Sequence, residues 1–165
     1  MIKGRVWKFG DDVNTDVIFA GKYTYTVTDR SEMAKHAFED LRSEFAKEVK
    51  PGDVIVAGKN FGCGSSREQA VIALKVAGVA AIIAPSFARI YYRNAINEGL
   101  PLLENKEAPE HIQEGEVIEV DLEKGTIITS AGREFGFPPL PPSVVAIVED
   151  GGLIPHVKKR LSAGK

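Results

Sequence analysis

Two short apolar runs, Val54-Ile55-Val56-Ala57 and Ala80-Ala81-Ile82-Ile83-Ala84, bracket a segment in which Ala70, Val71, Leu74 and Ala77 recur at helical spacing. Runs of this kind are buried on both faces, as the strands of a parallel sheet are. Strand, helix and strand in this length imply a right-handed parallel crossover, and therefore an α/β fold. Such sheets bind ligands outside the carboxyl ends of their strands. At that end of the first strand stands Gly58-Lys59-Asn60-Phe61-Gly62-Cys63-Gly64-Ser65-Ser66-Arg67-Glu68-Gln69-Ala70.

Three glycines let this loop approach a ligand closely, with Gly64 beside the first serine. The helix expected from Ser66 to Ala77, with Gly78 at its left-handed C-terminal position, turns unpaired amides and a positive dipole end toward the loop. Negative charge is favoured there. Ser65, Ser66 and Arg67 add two hydroxyls and a guanidinium, a carboxylate-handling set with a potential proton acceptor. Ser65-Ser66-Arg67-Glu68 also fits a capping box, in which serine caps a helical amide and glutamate reaches back. The two roles are compatible, since one serine caps while its neighbour faces a ligand. The Walker pattern is absent, and Gly62-Cys63-Gly64 lacks the third glycine of a dinucleotide fingerprint.

Elsewhere, Ile2 to Phe9 reads as a strand that turns at Gly10-Asp11-Asp12, followed by a loop holding Asn14-Thr15-Asp16. From Ser31, one helix is expected through Met33, Ala37, Phe38, Leu41, Phe45 and Val49, stopped by Lys50-Pro51-Gly52-Asp53. Ser86 is expected to cap a helix running to Ile96, with Asn94 and Asn97 capping near its end. Two roles stay open for Arg89 and Arg93 on that helix: pairing with Asp16 or a partner's acidic groups, or a solvated face. Val117, Ile118 and Val120 pair with Ile127 and Ile128 as a hairpin about Glu123-Lys124-Gly125. A proline-rich spacer, 138–142, then leads to short helices over Ser143–Glu149 and Ile154–Leu161.

A chain of 165 residues is expected to form a single domain, 1–165, burying roughly 70% of its unfolded surface. A net charge of −2 leaves no basic footprint for nucleic acid, and Lys158-Lys159-Arg160 decorates a solvated terminal helix. With no apolar run near membrane-spanning length and no charged-then-apolar leader, a cytoplasmic location is expected. The single Cys63 cannot form an internal bridge, and no Cys-x-x-Cys pair or histidine cluster offers metal ligation. A thiol nucleophile with His36, His111 or His156 as base is the hydrolase alternative, though no motif surrounds any of the three.

Asn60-Phe61-Gly62-Cys63-Gly64-Ser65-Ser66-Arg67-Glu68 resembles the signature of the small subunits of 3-isopropylmalate dehydratase, and the same motif marks the swivelling domain of the aconitase superfamily. Asn14-Thr15-Asp16-Val17-Ile18 and Arg93-Asn94-Ala95-Ile96-Asn97-Glu98-Gly99-Leu100-Pro101 are similar to two further family blocks, in the family's order. One departure is Gln69, where the family often has histidine. The resemblance implies a swivelling β/β/α domain of the aconitase C-terminal type, with a parallel βαβ core and an added β-hairpin.

It also implies a hydro-lyase that interconverts 2-isopropylmalate and 3-isopropylmalate by dehydration and rehydration in leucine biosynthesis. The roles carried over are Ser65 as base, Asp16 orienting serine or arginine, and Ser66, Arg67, Thr15 and Gly64 at the substrate. The partner implied is a large subunit bearing a [4Fe-4S] cluster, with no cofactor in this chain. In the loop Gly21-Lys22-Tyr23-Thr24-Tyr25-Thr26, relatives acting on a third carboxylate tend to carry arginine where this chain has Tyr25, a ring that suits an isopropyl group. Packing of Tyr23 and Tyr25 against the core is the competing reading. A homoaconitase small subunit or dual-substrate enzyme, and a stand-alone carboxylate-binding module, are the alternatives.

Overall fold

The computed structural model describes residues 1–164. Seven strands form one mixed sheet in the order β4-β3-β2-β1-β5-β6-β7. β1 (Ile2–Lys8), β2 (Val54–Val56), β3 (Ala81–Ala84) and β4 (Leu102–Glu104) run parallel, while β5 (Val117–Asp121), β6 (Thr126–Ile128) and β7 (Glu134–Gly136) continue from β1 antiparallel. Side chains alternate across the pleat. Ile55 and Ile82 therefore join one core with Trp7, Phe38, Phe45, Leu74 and Tyr91, while Val54, Val56 and Ile83 join another with Ile118, Val120, Ile127 and Phe135. The apolar runs are continuous because both faces are covered.

The crossover is present: β2 leads through the signature loop into α4 (Gln69–Ala77), Gly78 closes it at φ +114°, and β3 returns beside β2. The expected hairpin pairs Val120 with Ile127, and β7 extends it to three strands. α6 (Ala108–His111) and β4, on which the periodicity was silent, complete the parallel side. α7 (Pro142–Glu149) and α8 (Leu153–Ala163) follow the proline-rich spacer. No described helix is long and apolar enough to cross a membrane.

The single helix expected from Ser31 to Val49 is instead two short ones, α2 (Arg30–Lys35) and α3 (Phe45–Glu48). Phe38 lies between them in the left-handed region, φ +54°, with its amide bonded to the Ile18 carbonyl at 2.9 Å. That turn stacks Phe38 on Phe9 at 4.1 Å and sets it edge-on to Phe45 at 5.0 Å. A straight helix would have carried Leu41 on the same face as Met33 and Phe45, whereas Leu41 is exposed. Aromatic burial therefore overrides the local period.

Candidate functional site

Two chain segments fifty residues apart build the site. The Thr15 amide donates to the Cys63 carbonyl at 2.8 Å, and the Gly62 amide to the Val13 carbonyl at 2.7 Å, so residues 13–15 and 62–63 run together as a short parallel bridge. Thr15, 1% exposed, starts α1 (Thr15–Ile18), capped by the Asn14 side chain, which accepts from the Val17 amide at 2.9 Å. Its Oγ1 accepts from the Ser65 amide at 3.0 Å and lies 3.1 Å from Ser65 Oγ. Gly64, at φ +106°, permits this approach, since a Cβ there would stand 3.1 Å from Thr15 Oγ1.

Neither serine caps a helix. α4 begins at Gln69, three residues later than expected, and no side chain caps it. Backbone bonds of Gly62 and Cys63 to residues 13–15, and the Ser65 amide on Thr15 Oγ1, hold the loop before the helix, so the Ser-Ser-Arg set lies upstream of the helix mouth. Asn94 does not cap α5 (Arg89–Asn97) either, because its Nδ2 donates to the Ser66 carbonyl at 3.0 Å. Ser86, expected as the α5 cap, accepts from the Asn60 amide at 2.8 Å. Both side chains pin the signature loop. The amides of Gly64 and Ser66 donate to no other group among the described residues and are open to an incoming acceptor.

Arg67 unites the rest. Its Nε donates to Ser65 Oγ at 2.8 Å, Nη1 to Thr24 Oγ1 at 2.9 Å and Nη2 to Asp16 Oδ1. The guanidinium side chain is 17% exposed and the Asp16 side chain 72%. Gly21 completes the enclosure, as a Cβ there would lie 3.2 Å from Arg67 Nη1 and 3.3 Å from Asp16 Oδ1. The structure thus brings Asp16, Thr15, Gly64, Ser65 and Arg67 together and leaves the Ser66 hydroxyl exposed beside them. Thr24 was not singled out from the sequence, and a threonine in a loop carries no signal for it.

The two tyrosines of the neighbouring loop part ways. Tyr23 packs on the core, stacks on His36 at 4.0 Å and donates to Glu39 Oε2 at 2.5 Å, while Tyr25 is 92% exposed. Core packing therefore describes Tyr23 and not Tyr25. The Tyr23 hydroxyl, and then the His36 ring, hold the Glu39 carboxyl below the usual carboxylate range. Stability from a lowered carboxyl pKa is complete above its unfolded value, about 4.3, and is lost as pH falls through the folded value. Thermal melts from neutral pH downward should thus show an acid limb that Glu39→Gln makes shallower, the Glu114, Asp121 and Asp150 carboxyls, also held low, supplying the rest; an identical acid limb in the variant would count against this anchor.

Beside Ser65, the first turns of α5 border an open cleft of about 510 Å³. Gly62, Gly64 and Ser65 of the loop and Ala88, Arg89, Ile90 and Arg93 line it together. Asp16 pairs with Arg67 and not with either α5 arginine. None of the histidines engages Cys63: His36 bonds Glu39, His156 bonds Asp150 and His111 stacks on Phe135. Among the described residues, no group of three or more His, Cys, Asp or Glu side chains could hold a metal ion.

Comparison with known proteins returns one answer. Residues 12–108 match the aconitase C-terminal domain family. The 3-isopropylmalate dehydratase small subunit 1 of Archaeoglobus fulgidus is 56% identical over 156 residues, covering 94% of this chain and 96% of the relative. Its counterpart in Thermotoga maritima is 50% identical over 166 residues, covering 100% and 99%. The crystal structure of 3-isopropylmalate dehydratase from Methanocaldococcus jannaschii matches with a TM-score of 0.90 at 47% identity, covering 99% of this chain and 96% of that one.

Proposed function

Because the chain belongs to the aconitase C-terminal domain family and, within it, to the small subunits of 3-isopropylmalate dehydratase, we propose that residues 1–165 act as one swivelling domain that brings Ser65 to a dicarboxylate held at a large subunit. The reaction is the dehydration and rehydration that interconverts 2-isopropylmalate and 3-isopropylmalate in leucine biosynthesis. The observation that carries the residue roles is the position of Ser65 Oγ, 2.8 Å from the donor Arg67 Nε and 3.1 Å from Thr15 Oγ1.

The reaction needs a group to take a carbon-bound proton and a means of expelling hydroxide. The donor set of this chain does not suit a [4Fe-4S] cluster, since Cys63 is its only thiol and, among the described residues, no clustered ligands accompany it. We assign the cluster to the large subunit, where it supplies a Lewis acid for the departing hydroxide. Ser65 is the proton acceptor on this chain. Thr15 Oγ1 already accepts from the Ser65 amide, which leaves its own hydroxyl proton to point at Ser65 Oγ. With Arg67 Nε, two donors then converge on one oxygen.

Magnitude sets the conditions. An aliphatic hydroxyl ionises far above neutral pH, near the value of bulk water, so an alkoxide at pH 7 costs about 12 kcal/mol at about 1.36 per unit. A hydrogen bond from a charged donor returns about 1.5–3 kcal/mol and a neutral one about 1. The remainder falls to closure against the large subunit, where exclusion of water strengthens both bonds. Asp16 and Thr24 orient Arg67, and Arg67 orients Ser65. The open amides of Gly64 and Ser66, with the Ser66 hydroxyl, serve the substrate carboxylate nearest the loop.

Tyr25 supports the isopropyl substrate, because its ring is free of the core and can cover an apolar branch. Lys22, the cation of the same loop, is tied to Glu39 at 3.9 Å and lies over the Tyr23 ring at 5.1 Å. Anaerobic reconstitution with the cluster-bearing large subunit tests the reading: 2-isopropylmalate should turn over only when both subunits are present. Turnover by this chain alone, or faster turnover of homoaconitate than of isopropylmalate, would overturn it.

A further inference from the structure

We infer that the exposed face of α5, carrying Arg89, Ile90 and Arg93, is the surface by which this chain docks onto a carboxylate-bearing patch of the large subunit, and that it steers Ser65 to the substrate. The inference rests on the proposed function above, which places the dicarboxylate on that subunit. Ser65 can take a proton only when its oxygen stands roughly 3–3.5 Å from the carbon that gives it up. The surface around Ser65 is therefore covered on assembly. α5 belongs to that surface, because Arg89, Ile90 and Arg93 line the same cleft as Ser65. The Phe61 amide donates to the Ser86 carbonyl at 3.2 Å and the Ala88 amide to the Phe61 carbonyl at 3.0 Å, which locks the start of α5 to the signature loop. Loop and helix meet a partner as one body.

α5 carries these cations against its own dipole. Unpaired amides make the first turn of a helix positive, so carboxylates are favoured there and cations are not. Yet α5 opens on Arg89, with no acidic residue in its first turn and no side-chain cap. Nothing in the chain offsets this. Arg5, Arg30, Arg42 and Arg67 each pair with a carboxylate and Arg133 lies over the Phe135 ring, whereas neither Arg89 nor Arg93 has a hydrogen bond or ion pair among the described residues. Glu104 borders the adjoining cleft with both arginines and pairs with neither. The two arginines stand four residues apart on one helical face, beside Ile90, which is 58% exposed. Exposed guanidinium groups around an apolar side chain are the composition of a docking surface. A partner that returns stability to it brings carboxylates, which guanidinium forks bind bidentately, and an apolar cover for Ile90.

Arg89→Glu, Arg93→Glu, the double variant and Ile90→Ser are each titrated with the cluster-bearing large subunit at low and high salt, with Arg160→Glu on α8 as a control outside the cleft. Each arginine reversal should raise the subunit dissociation constant about 10- to 100-fold at low salt, chiefly by slowing association. The difference should shrink as salt screens it. Ile90→Ser should weaken binding less and without that salt dependence, and Arg160→Glu should leave it unchanged. Thermal melts of the isolated arginine variants should match or exceed the wild type, since glutamate suits a first turn. At saturating large subunit, KM for 2-isopropylmalate should return to the wild-type value. An unchanged dissociation constant in the double variant overturns the inference. So does a KM that stays raised at saturation with subunit affinity intact, which would give the arginines to a small anion. A wild-type chain that sediments as a dimer, with the double variant a monomer of unchanged affinity for the large subunit, overturns it in favour of a second copy. Wild-type subunits that associate without converting isopropylmalate overturn the functional reading, and the inference with it.

Discussion

Ser65→Ala should lower isopropylmalate turnover by the assembled enzyme by about 10²- to 10⁴-fold, the range that a positioned general base supplies. The loss should fall on kcat, because the substitution removes the oxygen that receives the proton and leaves the Gly64 and Ser66 amides in place. Stability should barely change. Ser65 is exposed, its hydrogen bond to Arg67 is open to water while that to Thr15 is partly buried, and an alanine adopts the same backbone, whose φ is not positive. Steady-state kinetics beside a thermal melt and a subunit-association measurement give the test. Turnover at the wild-type rate would remove Ser65 from the chemistry, and a fall in activity that merely tracks a fall in stability would do the same.

The largest effect on stability is expected from Gly62→Ala, about 2–5 kcal/mol. Gly62 sits at φ +83°, where an L-residue costs about 1–2 kcal/mol, and a Cβ there would overlap the Tyr91 ring. That ring is not free to yield. It is buried, donates through its hydroxyl to the Ala70 carbonyl at 3.2 Å and stands edge-on to Phe61 at 5.5 Å. Overpacking a position of this kind costs about 1–3 kcal/mol more. Gly132→Ala is the comparison: its φ is +82°, yet a Cβ there meets nothing within 4 Å, so the conformational cost stands alone. Urea unfolding should show a lower midpoint for both variants at unchanged slope, with Gly62→Ala clearly the weaker. Equal midpoints would mean that Tyr91 moves aside freely.

The second prediction also separates what was legible in the sequence from what was not. The crossover around the signature loop was legible because its signals are local: apolar runs buried on both faces, a helical period and a glycine at the helix end. The membership of Asp16, Ser65 and Arg67 in one site came from resemblance, since spacing alone places no residue near another fifty positions away. Four local readings failed for one shared reason. The helix through Phe38, the serine cap of α4 and the Ser86 and Asn94 caps of α5 were each sound for an isolated segment, and each was displaced by a longer-range partner: Phe9 and Phe45 for Phe38, Thr15 for Ser65, the Asn60 amide for Ser86 and the Ser66 carbonyl for Asn94. α1, where a loop was expected, and α6, β4 and Thr24 left no usable trace.

By itself, then, the sequence determined the α/β class, the parallel crossover and the loop on which the chemistry sits, because these follow from period, burial and glycine placement along neighbouring residues. The tertiary structure alone decided which atoms meet: Thr15 and Arg67 on Ser65 Oγ, Asp16 on Arg67, Tyr23 inward with Tyr25 outward, and Arg89 and Arg93 in the same cleft without a partner. Those contacts join residues far apart in the chain. Their energies depend on packing and on exclusion of water, which no local pattern of residues encodes.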